Sequence, residues 1–212
     1  MHQACARLAL AGSLFFASIV GEMQPHPANA SLLVEPTATV TCRAVGNTEF
    51  VIGHIRVQAP AEKVWPILAN PYEFEEKISP RFTTVQVLCD KKEMSVLRCK
   101  VDIGCLLPAI NYTVQSTYNH TRSIAFRSIA GDFKDFRGSW TVVPSASGKS
   151  CDVTYSIYVV PGIPVPQWVV RQAVKAELPH TLEGLRRRVE SVCEGLERPV
   201  RRTISAARSS NT

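Results

Sequence analysis

The chain has 212 residues, of which 45% are hydrophobic and 20% charged. That composition excludes a mainly disordered polymer and leaves room for one domain with a sizeable core plus appendages. Lys and Arg number 24 against 18 Asp and Glu, a net charge of +6; this permits contact with an anionic membrane surface, while the modest excess and the lack of a recognised binding module argue against nucleic acid.

Residues 1–30 read as a secretory signal peptide. Arg7 precedes an apolar run from Leu8 to Val20, then come Glu22, Pro25, Pro27 and the small-residue triplet Ala28-Asn29-Ala30, with cleavage expected after Ala30. The run is shorter than the ~20 residues of a comfortable membrane span, although an uncleaved anchor is the alternative. No later run is long enough to span, so the expectation is a soluble, exported protein; a bacterial periplasm, a thylakoid lumen and secretion all stay open. Beyond the leader lie six cysteines, Cys42, Cys89, Cys99, Cys105, Cys151 and Cys193. An even count suits disulfides in an oxidising compartment and equally suits small buried thiols. No Cys-x-x-Cys occurs, so neither a zinc ribbon nor a thioredoxin-like site is supported.

Residues 31–47 read as an extended lead-in. From Thr48 to Gln58 the residues alternate, with Val51, Gly53, Ile55 and Val57 on one side, as in a half-buried strand. Ala61 to Ala69 places Val64, Ile67 and Leu68 on one helical face, with Pro66 making the helix short or kinked. A second short helix is expected from Tyr72 to Ile78. Period-two patterns then recur around Val85 and Cys89, Leu97 to Val101, Tyr112 and Val114, Ile124 and Phe126, Phe136 to Val142, and Val153 to Val159, with a connection at Gly104 to Pro108. Cys89 and Cys99 fall on the apolar face of two adjacent strands, which makes a cross-strand disulfide conceivable. A long helix is expected from Pro166 to Glu194, its stripe formed by Val170, Val174, Leu178, Leu182, Leu185, Val189 and Val192, with a bend at Pro179. Residues 196–212 read as a basic flexible tail.

A run of about six antiparallel strands needs an apolar cover, and only the C-terminal helix is long enough to provide it. In the segments Ile55 to Pro71 (IRVQAPAEKVWPILANP), Phe133 to Val143 (FKDFRGSWTVV) and the long helix with its preceding Pro-Gly-Ile-Pro, the chain resembles the START-like, or polyketide cyclase/dehydrase and lipid transport, superfamily over residues 48–195; the coenzyme-Q-binding and cyclase branches look nearest. The resemblance implies an α+β helix-grip fold: a curved antiparallel sheet of six to seven strands wrapped around the C-terminal helix, two short helices after the first strand, and a deep apolar cavity beneath the long helix.

Tyr112, Phe126, Phe136, Trp140, Tyr155 and Ile157 share the expected inward face, and three of them carry a polar tip able to orient a headgroup. With the cavity that the resemblance implies, the binding candidates also include Trp168 at the mouth and Val174, Leu178 and Leu182 on the helix. His54, His120 and His180 form no triad or metal spacing, Ser139 and Ser156 lie in no nucleophile motif, and there is no Gly-rich phosphate loop, so no cofactor is expected. Asp132, Asp135 and Arg137 cluster near one strand start, as an exposed ion-pair group or as cyclase chemistry. Arg186, Arg187, Arg188, Arg198, Arg201, Arg202 and Arg208 either meet anionic headgroups or solvate the helix end. The expected function is binding, and transport, of a hydrophobic small molecule: a lipid, quinone or isoprenoid. A cyclase or dehydratase using Tyr112, Tyr155 and Arg137, and a protein-binding module, are the alternatives.

Overall fold

The structure, a computed structural model, describes residues 38–102, 109–196 and 198–200. The leader, the connection at 104–108 with Cys105, and the tail beyond 200 lie outside the described residues.

Eight strands form one antiparallel sheet: β1 (Thr39–Val45), β2 (Thr48–Val57), β3 (Phe82–Lys91), β4 (Met94–Val101), β5 (Ile110–Asn119), β6 (Ser123–Gly131), β7 (Phe133–Pro144) and β8 (Cys151–Pro161), in the order β1-β2-β8-β7-β6-β5-β4-β3. The first residues of the fold are therefore not a simple lead-in. Thr39–Val45 pairs with β2 from Thr48 to His54, so that Val51 lies opposite Cys42 and the sheet has eight strands among the described residues. The sequence reading passes over β1 because as an edge strand it buries no residue fully and its alternation is short, with only Val40 and Cys42 half-buried.

Helix α1 (Ala61–Leu68) and the short α2 (Pro71–Glu73), which runs into a π-helical turn at Phe74–Ile78, carry the chain from β2 to β3 at the opposite edge. Helix α1 spans its Pro66 and ends two residues later. Asn70 starts α2: its side-chain oxygen accepts the Tyr72 backbone N–H at 3.3 Å, with Pro71 in the first helical position. Register shifts within β3, between β5 and β6, and near Phe133 in β7 bend the sheet around its inner face.

Helix α3 (Gln167–Cys193) crosses that inner face and continues through Pro179. Its two halves have different surroundings. Leu182, Leu185 and Val189 are buried against Ile55, Val57, Val64, Ile67, Val142 and Val153, which form a filled core. No residue from Gln167 to Glu177 is buried. One half of the helix is thus held by packing, and the other half spans open space.

Candidate functional site: an apolar cavity under the long helix

The open space is a cavity of about 1080 Å³ between the inner face of β3–β8, the end of α1, the π-helical turn and the first half of α3. Its wall is aromatic. Trp140 and Tyr155 stack with ring centroids 3.8 Å apart and planes 7° from parallel. Tyr112 meets Phe133 and Phe136 edge-on at 5.1 and 5.2 Å, and Phe136 lies 5.3 Å from Phe126. Apart from Phe133, which precedes a register shift in β7, these rings arise from alternate positions of neighbouring strands, so the period-two pattern sends them to one face.

Polar groups are few and of two kinds. Inside the wall, burial pushes the Tyr112 phenol well above its ordinary range and the facing Cys99 thiol up to about 12; Tyr155 is raised by the same loss of hydration. All three stay protonated and neutral at physiological pH. Tyr118 and Ser95 share a hydroxyl–hydroxyl hydrogen bond of 2.6 Å. At the rim, Arg81 Nε donates to Glu177 Oε2 at 3.4 Å, joining the start of β3 to α3. Asp132, also lining the cavity, accepts the Asn111 backbone N–H at 2.8 Å. Among the described residues no cluster of His, Cys, Asp or Glu could hold a metal ion.

The sequence profile of the polyketide cyclase/dehydrase and lipid transport family matches residues 57–186. The chain belongs to this family. Solved structures of the same fold include the Zhui aromatase/cyclase from Streptomyces sp. R1128 (19% identity, 68% of this chain and 94% of that one, TM-score 0.61). They also include a STAR-related lipid transfer protein from Xanthomonas axonopodis (21%, 73% and 94%, 0.61) and human STARD10 (15%, 75% and 71%, 0.59). No curated protein matches the sequence significantly. The helix-grip fold is what this chain shares with a lipid transfer protein and an aromatase/cyclase of known structure.

Within this family member the structure sorts the candidate residues. Tyr112, Phe126, Phe136, Trp140, Tyr155, Ile157, Val174 and Leu178 line the cavity. Leu182 does not: it is fully buried in the filled core, although the neighbouring Thr181 still lines the cavity. Trp168 does not either. It is 64% exposed on the outside of α3, while Val169 and Val170 turn towards the cavity. The Cys89–Cys99 disulfide is also corrected. Cys99 pairs with Val85 and Cys89 with Val96, across a register shift, and both thiols are free. Cys42, Cys151 and Cys193 are free as well.

Arg137, a candidate for cyclase chemistry, faces away from the cavity. It bonds Thr48 Oγ1 at 3.1 Å, lies 3.6 Å from Asp135 and sits over the Tyr158 ring. His54 is exposed and bonds Thr154, and His120 packs on Trp65. The basic cluster shrinks too. Arg186 and Arg188 are buried, the latter against Glu73, so of the three consecutive arginines only Arg187 faces solvent. Phe133, Cys99 and Glu177 are cavity residues that the sequence reading did not single out. Phe133 precedes a register shift that turns it inward, Cys99 was considered only as a disulfide partner, and Glu177 owes its place to the partly covered half of α3.

Proposed function

We propose that this protein binds a hydrophobic small molecule, a lipid, quinone or isoprenoid, in the cavity under α3 and carries it between membranes or enzymes. The observation that carries this reading is the size and lining of the cavity. Ligand pockets run to roughly 300–1,000 Å³, and this one is at the upper end with an aromatic and aliphatic wall. At ~24 cal/mol per Å³ a dry void of that size would cost more than the ~5–15 kcal/mol that usually stabilises a domain, so the space is filled by water or by ligand. The two phenols kept neutral in the wall can hydrogen-bond an oxygen of the ligand without demanding a charge. The lipid-transfer relatives of the same fold support the same reading.

Exchange with a membrane is part of the proposal. Ile163 and Val169 are exposed residues of the cavity rim, Trp168 is exposed beside Val169 in sequence, and Arg171, 3.2 Å from Glu49, and Lys175 follow on the same helix. An amphipathic indole next to basic side chains suits the headgroup region of an anionic bilayer. Export with cleavage after Ala30 is proposed from the leader sequence alone; the mass of the protein recovered from its host tests it.

The deciding experiment is native mass spectrometry of the purified protein with organic extraction. An apolar molecule bound one to one is expected. Recovery of none, together with no binding across a panel of lipids and quinones, would refute the proposal.

A further inference from the structure

Glu73 and Arg188 are buried together, Glu73 entirely and the Arg188 side chain with 2% exposure. Arg188 Nε donates to Glu73 Oε2 at 2.6 Å, but each member of the pair also serves a third segment. Glu73 Oε1 accepts the backbone N–H of Val200 at 2.7 Å, and Arg188 Nη2 donates to the carbonyl of Arg198 at 2.7 Å. Asn70, itself buried, donates through Nδ2 to the carbonyl of Val200 at 2.9 Å. Three side chains from two helical regions therefore read the main chain of two residues, Arg198 and Val200, and Val200 is held at both its N–H and its C=O. Between them stands Pro199, which has no N–H to satisfy. The side chains of Arg198 and Pro199 are exposed, so what is recognised is backbone.

The receptor lies on the back of the cavity wall. Asn70 sits between Ala69 and Pro71, and Glu73 precedes Phe74; all three neighbours line the cavity. We propose that Asn70, Glu73 and Arg188 form a built main-chain-binding site, occupied by Arg198–Val200, and that this strap fixes the wall formed by residues 69–74 and thereby slows ligand exchange. Hydrogen bonds to ionised groups in a site shielded from water are the strong kind, and two of the three strap bonds are of that kind. The site differs from the flexible tail expected from the sequence: Arg198 and Val200 are bound through their main chain.

The exchange part rests on the ligand-binding reading, whereas the mechanical part does not, and the two are tested separately. Chains ending at residue 196 and at residue 200 are compared with the full chain, along with Val200→Pro, which removes the N–H that Glu73 accepts and leaves the buried pair intact. Hydrogen–deuterium exchange at residues 69–79 and release of the apolar dye nile red are measured. The chain ending at 196 and Val200→Pro should lose about tenfold protection in residues 69–79 and release dye faster, whereas the chain ending at 200 should match the full chain in both. If Val200→Pro leaves that protection unchanged, or the chain ending at 200 loosens as much as the chain ending at 196, the strap is wrong. Unchanged dye release with lost protection overturns its control of exchange alone. If the full chain takes up no dye, the ligand-binding reading suffers and protection still decides the strap.

Discussion

Gly184 of α3 lies directly against the backbone of Ile78: a Cβ at position 184 would stand 2.1 Å from the Ile78 carbonyl oxygen. This contact lets the second half of α3 approach the π-helical turn. Alanine is the better helix former by about 1 kcal/mol, yet Gly184→Ala should destabilise by ~1–3 kcal/mol because the obstructing atom is backbone. Gly53→Ala should cost less, since it meets only the ends of the Leu182 and Leu178 side chains. Urea midpoints give the ranking, and a stabilised Gly184→Ala would contradict the packing described.

The buried ion pair makes a second prediction. Arg188→Met strands the Glu73 carboxylate and should lose ~3–5 kcal/mol, whereas Glu73→Met combined with Arg188→Met should regain much of that loss. A loss in the double variant equal to the sum of the two single losses, by denaturant titration, would show that the pair is not coupled.

Cavity and core can be separated on one helix. Val174→Trp should fill part of the cavity and weaken nile red binding about tenfold with little loss of stability, because Val174 lines open space. Leu182→Ala should do the reverse, losing ~2–5 kcal/mol while dye affinity holds. Fluorescence titration and thermal melts check both, and a dye-binding defect confined to Leu182→Ala would invert the assignment.

Stability should fall in alkali. The folded state holds the Cys99 proton up to about pH 12 against an ordinary thiol value of 9.0, so it binds more protons than the unfolded chain in between. This contribution is complete below about pH 9 and is lost as the pH rises towards 12. Tyr112 and Tyr155, raised above 10.0 by burial, act in the same direction. Cys99→Val removes one of these groups and should show a shallower decline in urea midpoint between about pH 9 and about pH 11. An unchanged slope would count against the buried thiol.

Trp168→Ala should leave the melting temperature unchanged, given the 64% exposure of the indole. It should reduce binding to vesicles containing anionic lipid, read by co-sedimentation. Undiminished binding would remove Trp168 from the proposed membrane contact.

Much of this protein was legible in sequence where one face of an element is buried and the other is wet. Val51, Gly53, Ile55 and Val57 alternate because the sheet has an inner side, and the same rule places Tyr112, Phe136, Trp140 and Tyr155 on the cavity wall. The α3 stripe announced a long amphipathic helix, and its bounds differ from the expected ones by a residue at each end. The rule fails at edges and at charges. β1 has only Val40 and Cys42, both half-buried, to declare its inner face. Arg188 reads as one of three solvated arginines, although it stands three residues after Leu185 and next to Val189 on the buried stripe; that position was its signal.

By itself, then, the order of residues determined the alternation of strands, the helical stripe, and hence which side chains face inward, since these follow from local periodicity and the burial of apolar surface. Only the tertiary structure decided where that interior is filled and where it is hollow. The same stripe that packs at Leu182 and Leu185 spans empty space at Val170 and Val174. That difference is set by how far the sheet curves away from the helix, and by which segments 115 residues apart come to share a charge pair, neither of which is written in any local pattern.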